Sequence, residues 1–203
     1  MTNRIKAVIW DMGGVLLREE DPIPREKLAA EYGISVNRLY ELVFQSESSK
    51  LAGLGAISEE EHWNRVAQVI GILPDNLKDF QTRFWAGDRV DPQLSDFITG
   101  LKGEYRTALL SNAWSGTRKA LDEYYGCLDL FHHIIISAEV KLAKPDPAIY
   151  REMLQLVNVK PGEAIFVDDL QENVDAANEL GIHGIRFLKA EQAIADVRQL
   201  LNS

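Results

Sequence analysis

The sequence predicts an α/β fold: a parallel sheet with helices on both faces, interrupted after its first strand by a helical insert. Three observations predict it. Five short apolar runs recur, at residues 5–10, 106–111, 133–137, 164–168 and 183–188. Four of them carry little polar interruption, as strands buried on both faces do. Helix-like segments separate the later runs, so strand alternates with helix at the spacing of a parallel sheet. Between about residues 17 and 90 that rhythm stops, and helical periodicity runs on without a convincing strand.

Taken in order, IKAVIW (5–10) is the first strand and ends on Asp11. Four amphipathic helical stretches follow: REKLAAEY (25–32), VNRLYELVFQ (36–45), EEEHWNRVAQVIG (59–71) and NLKDFQTRFWAG (76–87). Ser58 and Glu61 form a capping-box signature for the third of these. Asp91-Pro92 supplies an N-cap and a first-turn proline for the next helix, and Asp146-Pro147 repeats the signal before AIYREMLQLV. Gly181 closes ENVDAANEL as a C-terminal glycine does. The chain therefore divides into a core, residues 1–16 and 90–203, and a helical insert, residues 17–89.

The bulk numbers suit one domain carrying a smaller insert: 203 residues, 46% hydrophobic and 26% charged. No apolar run approaches the roughly 18 residues of a membrane span. The opening MTNRIKAVIWD reaches an acid too soon, and lacks the small-residue cleavage pattern, to read as a signal peptide. Cys127 is the single cysteine, so no disulfide forms within the chain and a cytoplasmic setting is expected. A net charge of −9 without a long basic run argues against nucleic acid or an anionic membrane as the partner. A small anionic substrate stays open, because a local site can oppose the global charge.

Ligands of open α/β sheets bind beyond the carboxyl ends of the strands. Asp11-Met12-Gly13-Gly14 follows the first core strand, and Ser111-Asn112 follows the second. Lys144-Pro145 comes shortly after the third, and Asp168-Asp169 ends the fourth. Acids, a hydroxyl, an amide and a lysine on one sheet edge suit a divalent metal with a phosphate. Carboxylates would take the Mg²⁺, while Lys, Ser and backbone N–H groups would take the phosphoryl oxygens.

This order of motifs, with a helical insert after the first, resembles the haloacid dehalogenase (HAD) superfamily over essentially the whole chain. The nearer resemblance is to sugar-phosphate phosphatases with Asp-x-Gly-Gly or Asp-x-Gly-Asn as the first motif. It implies a Rossmann-like core with a helical cap, and Mg²⁺-dependent hydrolysis of a small phosphorylated metabolite. By resemblance, Asp11 is the nucleophile that becomes an aspartyl-phosphate. The Gly13 carbonyl joins Asp11 and Asp169 on Mg²⁺, with Asp168 behind them or bound through water. Met12, Gly13, Ser111 and Asn112 hold the phosphoryl group, and Lys144 neutralises charge on it and on the nucleophile. The chemistry is consistent, since a carboxylate attacks a dianionic phosphate only where cations cancel the repulsion. Glycines at 13 and 14 would let the backbone turn tightly and approach a ligand closely.

Several residues admit plainer readings. Asn173, four residues beyond Asp169, reaches back toward the acids or is a solvated first-turn residue. Trp114 lines the substrate pocket or packs under the insert. His62 and Trp63 read as core of an amphipathic helix. His132, His133 and His183 lack metal-ligand spacing, and Cys127 has no assigned chemistry. Arg18, Arg38, Lys50, His62 and Trp114 are candidates for contact with the substrate.

One position departs from the family. Many HAD phosphatases carry a second Asp two residues after the nucleophile, as the acid/base for the leaving oxygen. Here that position is Gly13. General acid–base help is typically worth about 10²- to 10⁴-fold, so two other readings stay open: a metal-independent 2-haloacid dehalogenase, and a catalytically silent binding protein. Adjacent acids at 168 and 169 argue against the first, since without a metal they would repel. Retention of Asp11 and Lys144 argues against the second.

Overall fold

The computed structural model describes residues 4–202; residues 1–3, which open the stretch read as lacking a signal peptide, lie outside the described residues. Five strands form one parallel sheet: β1 (Ala7–Trp10), β4 (Arg106–Ser111), β5 (His133–Ile136), β6 (Ala164–Asp168) and β7 (His183–Arg186). Their spatial order is β5-β4-β1-β6-β7. The first strand is therefore central, paired with β4 on one side and β6 on the other.

Alternation sorts its side chains to opposite faces. Val8 and Trp10 enter the apolar layer that holds Leu94 and Ile98 of α6 (Pro92–Leu101) and Ala193 and Val197 of α11 (Ala190–Leu201). Ala7 and Ile9 enter the opposite layer, against Ile149 and Met153 of α9 (Pro147–Leu156) and Ala177 of α10 (Gln171–Glu179). Both faces are covered, which explains the unbroken apolar runs.

The start signals operate as read. The Asp91 carboxylate accepts from Leu94 N at 2.8 Å and that of Asp146 from Ala148 N at 2.8 Å, each ahead of a first-turn proline. The Ser58 hydroxyl accepts from Glu61 N at 3.0 Å. Gly181 takes the left-handed conformation, φ +83°.

The insert packs on itself. Its helices are α1 (Ile23–Glu31), α2 (Val36–Tyr40), α3 (Glu47–Gly53), α4 (Glu59–Ile70) and α5 (Leu77–Trp85). Leu28, Leu39, Trp63, Val66, Phe80 and Phe84 share one apolar cluster separate from the two sheet layers. After α2 a π-helical turn, Glu41–Gln45, buries Leu42 and Val43 but leaves Phe44 exposed.

Two features differ from expectation. The segment read as strandless contains β2 (Leu17–Glu19) and β3 (Asp88–Val90), an antiparallel ribbon where the chain leaves and re-enters the core. Three residues each, largely charged, are too short for a period-two signal. The ribbon is fixed from outside by Arg25, buried on α1, which donates to both Asp88 carboxylate oxygens at 2.7 and 2.8 Å. Helix α3 was also unmarked, because ESSKLAG has no apolar stripe; Ser46 caps it by accepting from Ser49 N. No helix among the described residues is long and apolar enough to cross a membrane.

Candidate active site

The order of the strands reverses at β1, and its carboxyl end is where such sheets hold ligands. Asp11 stands there, its N–H bonded to the Val167 carbonyl of β6 at 2.9 Å. Its Oδ1 accepts from Met12 N at 2.7 Å and lies 2.7 Å from Lys144 Nζ. No described residue donates to Oδ2. The Lys144 ammonium also donates to Asp168 Oδ2 at 2.6 Å, bridging the first and fourth motifs. Asn112 positions the lysine's backbone: its amide donates to Lys144 O and accepts from Lys144 N, both at 2.8 Å. The Lys144–Pro145 peptide is cis.

Asp168 is fully buried and its oxygens are occupied. Besides Lys144 it accepts from Leu170 N at 2.8 Å and from the Asn173 amide at 3.0 and 3.1 Å. Asn173, itself buried, thus serves Asp168 and is no solvated first-turn residue. Asp169 is half-buried, and no other described residue donates to its carboxylate. Ligand oxygens of Asp11, Asp168 and Asp169 lie within 4.8 Å of one another.

Three acids face a single buried ammonium, and the electrostatics show the imbalance. Burial, opposed by Lys144 and reinforced by Asp168, pushes Asp11 up to about 7. Burial and the charge of Asp168 also raise Asp169. For Lys144, burial works against the charged form, but Asp11 and Asp168 outweigh it and raise its pKa.

The two glycines differ. Gly14 has φ +77°, and a Cβ there would sit 2.5 Å from Asp169 Oδ2, so any side chain would displace an acid of the cluster. Around Gly13 a Cβ would meet nothing within 4 Å. A side chain is therefore hindered at Gly14 alone; the space at residue 13 is open.

Asp11, Met12, Gly13, Ser111, Asn112, Lys144 and Asp169 all line one cavity of about 950 Å³. Asp168 stands behind it. Trp114 does both things expected of it: it lines the cavity and belongs to the insert's apolar cluster, its indole N–H reaching Ser49 O at 3.3 Å. Arg18 lines the cavity but is engaged by Asp91 and Glu20. Arg38, Lys50 and His62 do not line it. Arg38 pairs with Glu41 at the surface, and His62 is fully buried with Nδ1 2.9 Å from Ser48 Oγ. Phe44, Trp85 and Tyr125 line the cavity without having been anticipated. Their only signal was aromatic periodicity, which reads equally as packing.

Carboxylates and a lysine gathered around Asp11 at the carboxyl end of β1 invite comparison with known proteins. A family model described as haloacid dehalogenase-like hydrolase matches residues 5–181. The chain belongs to that family. It is 26% identical to the sesquiterpene phosphatase astK of Aspergillus oryzae, over 99% of both chains. With the D-ribitol-5-phosphate phosphatase of Bacteroides thetaiotaomicron it shares 25% identity, over 98% of this chain and 100% of that one. Other relatives are longer: the chain spans 39% of the bifunctional epoxide hydrolase 2 of Sus scrofa, at 26% identity. In fold it resembles a HAD family enzyme of Bacteroides thetaiotaomicron solved with magnesium and inorganic phosphate. The TM-score is 0.76 at 23% identity, covering 90% of this chain and 93% of that one. As a HAD-like hydrolase with phosphatase relatives, the protein is an enzyme of the hydrolase class.

Proposed function

We propose that this HAD-like hydrolase cleaves a small-molecule phosphate monoester through an aspartyl-phosphate on Asp11, with Mg²⁺ as cofactor. The observation that carries this reading is the Asp11–Lys144–Asp168 bridge at the floor of a cavity large enough for an organic phosphate. The donor set fits the metal. Asp11 and Asp169 have carboxylate oxygens without protein donors and Gly13 lines the same cavity, whereas Asp168 is already saturated and acts from behind. Mg²⁺ takes few carboxylates and keeps water; when bound it would offset the negative charge shared by the acids and the phosphate.

The chain's own residues do the rest. Lys144 favours the ionised form of Asp11 and orients it, so that its carboxylate meets phosphorus opposite the leaving oxygen. Ser111 and the N–H groups of Met12 and Gly13 take the phosphoryl oxygens. The P–O bond to the alcohol breaks as the Asp11–phosphorus bond forms, and water then attacks the acyl phosphate to release orthophosphate. Residue 13 offers no proton for the leaving oxygen, so water in the open cavity supplies it. Residues 17–89 act as the cap that covers the site. Contacts that join cap and core include Ser137 Oγ to Gly53 O at 2.6 Å, Gly116 N to Glu59 Oε2 at 2.8 Å, Trp114 to Ser49, and Arg18 to Asp91.

The relatives named for a sesquiterpene and for D-ribitol 5-phosphate differ in the organic half of the substrate, so the family alone leaves that half open. Orthophosphate release from a panel of esters, with Mg²⁺ and with EDTA, tests the reading, and Asp11→Asn is the control. Activity lost in EDTA and in the variant is the expected result. Halide release from a 2-haloacid in EDTA, with no ester cleaved, would replace it with the dehalogenase reading.

A further inference from the structure

The floor of the cavity fixes the phosphate, so the remainder of the substrate meets the walls, and the walls are aromatic. Phe44 of the π-helical turn, Trp85 at the end of α5 and Trp114 from the core form one panel. Their ring centroids are 5.8 Å (Phe44–Trp85), 6.2 Å (Phe44–Trp114) and 6.2 Å (Trp85–Trp114) apart. Tyr124 and Leu170 add apolar surface from the core. Phe44, Tyr124 and Leu170 are 39, 61 and 50% exposed, among the few large hydrophobic side chains the fold leaves uncovered. Apolar surface kept open inside a cavity is a place for an apolar ligand.

The polar groups on the cap side point to the same conclusion, because most are already spent. Arg25 gives its guanidinium to Asp88, the Phe84 carbonyl and Tyr40. Tyr40 in turn bonds Glu19. Glu59 accepts from Trp63 Nε1 and Gly116 N, and the hydroxyls of Ser49 and Thr82 donate to backbone carbonyls. Gln81 and Lys78 of α5 and the indole N–H of Trp85 are the cap-side exceptions among the described residues that line the cavity. A polyol phosphate needs one partner for nearly every hydroxyl it buries, since a buried hydroxyl left unpaired loses its bonds to water without replacement. The cap side supplies few, and beyond the phosphate site the core side adds only the hydroxyls of Thr117, Tyr124 and Tyr125 among the described residues.

We propose that the substrate is the phosphate ester of a long or bulky apolar alcohol, its chain seated on the Phe44–Trp85–Trp114 panel. This rests on the phosphatase reading above and specifies its substrate class. A cavity near the upper end of the usual 300–1,000 Å³ range for drug-sized ligands holds such a chain.

The test is kcat/KM of the intact protein with Mg²⁺ for ethyl, hexyl and decyl phosphate and for ribitol 5-phosphate. It should rise about threefold to fourfold per methylene until the cavity is filled, with ribitol 5-phosphate grouped with or below the ethyl ester. Phe44 is partly exposed, so Phe44→Ala leaves no hole in the core. It should cut the decyl-to-ethyl ratio about tenfold, and Phe44→Leu should recover part of that. A ribitol ester turned over as well as the decyl ester, or a ratio insensitive to Phe44, overturns the proposal while leaving the phosphatase reading intact. If no ester is cleaved, that reading fails, and the cavity is judged by calorimetry with ethyl- and decylphosphonate. Tighter decyl binding that weakens in Phe44→Ala upholds the apolar site, and equal affinities overturn it.

Discussion

Gly14 and Gly13 make opposite predictions although they are neighbours. Gly14→Ala puts a Cβ against Asp169 in a backbone conformation that costs an L-residue about 1–2 kcal/mol. Activity should fall by at least an order of magnitude, together with a lower Tm by calorimetry. Gly13→Asp enters open space. Its Tm should stay within a few degrees of the parent, while the new carboxyl supplies the missing acid/base. On alkyl esters, whose leaving group is a strong base, kcat should rise by up to about 10²-fold, with less gain for aryl esters. Unchanged alkyl turnover would show that proton supply does not limit this enzyme. Asn173 acts through Asp168, to which it gives two hydrogen bonds. Asn173→Ala should cost about 1.5–3 kcal/mol of stability in a denaturant titration, the usual worth of bonds to a buried charge.

At the scale of elements, the β2–β3 ribbon depends on a side chain from a helix. Arg25 is 3% exposed and pairs with Asp88 and Glu19. Arg25→Met leaves the Asp88 charge buried without its partner, which should cost about 3–5 kcal/mol and loosen the insert first. Limited proteolysis should then cut within residues 17–90 before the core. The insert also carries its own acid sensitivity. Burial on α4 holds His62 down to about 4, against an ordinary 6.5, with Arg65 adding to the effect. Above pH 6.5 both folded and unfolded chains carry this histidine neutral, and it has no influence on stability. As pH falls from 6.5 toward 4, only the unfolded chain gains the proton. Stability therefore drops by about 1.4 kcal/mol per pH unit across that window. A Tm measured at pH 7 and at pH 5 should fall less in His62→Gln than in the parent.

For the whole molecule, the sheet was legible because its strands are buried on both faces, and the motif residues because strand ends converge. Arg25, Asp88 and the Phe44 panel were not, since each derives its meaning from a partner distant in sequence. Phe44 sits in a stretch whose periodicity reads as an ordinary amphipathic helix, whereas it belongs to a π-helical turn and lines the cavity. Asp168 and Asp169 looked alike in sequence, and only the donors around Asp168 separate them.

Three of the four tryptophans, Trp63, Trp85 and Trp114, lie with ring centroids 5.7–6.3 Å apart. Two come from the insert and one from the core, while Trp10 is sealed in the sheet layer. Indoles this close couple their electronic transitions, so the chain carries its own optical gauge of separation between its two parts. The far-ultraviolet circular dichroism of this arrangement should show a split band that collapses in any state in which the insert and Trp114 part. Any such separation can thus be followed without a label, on the unmodified protein.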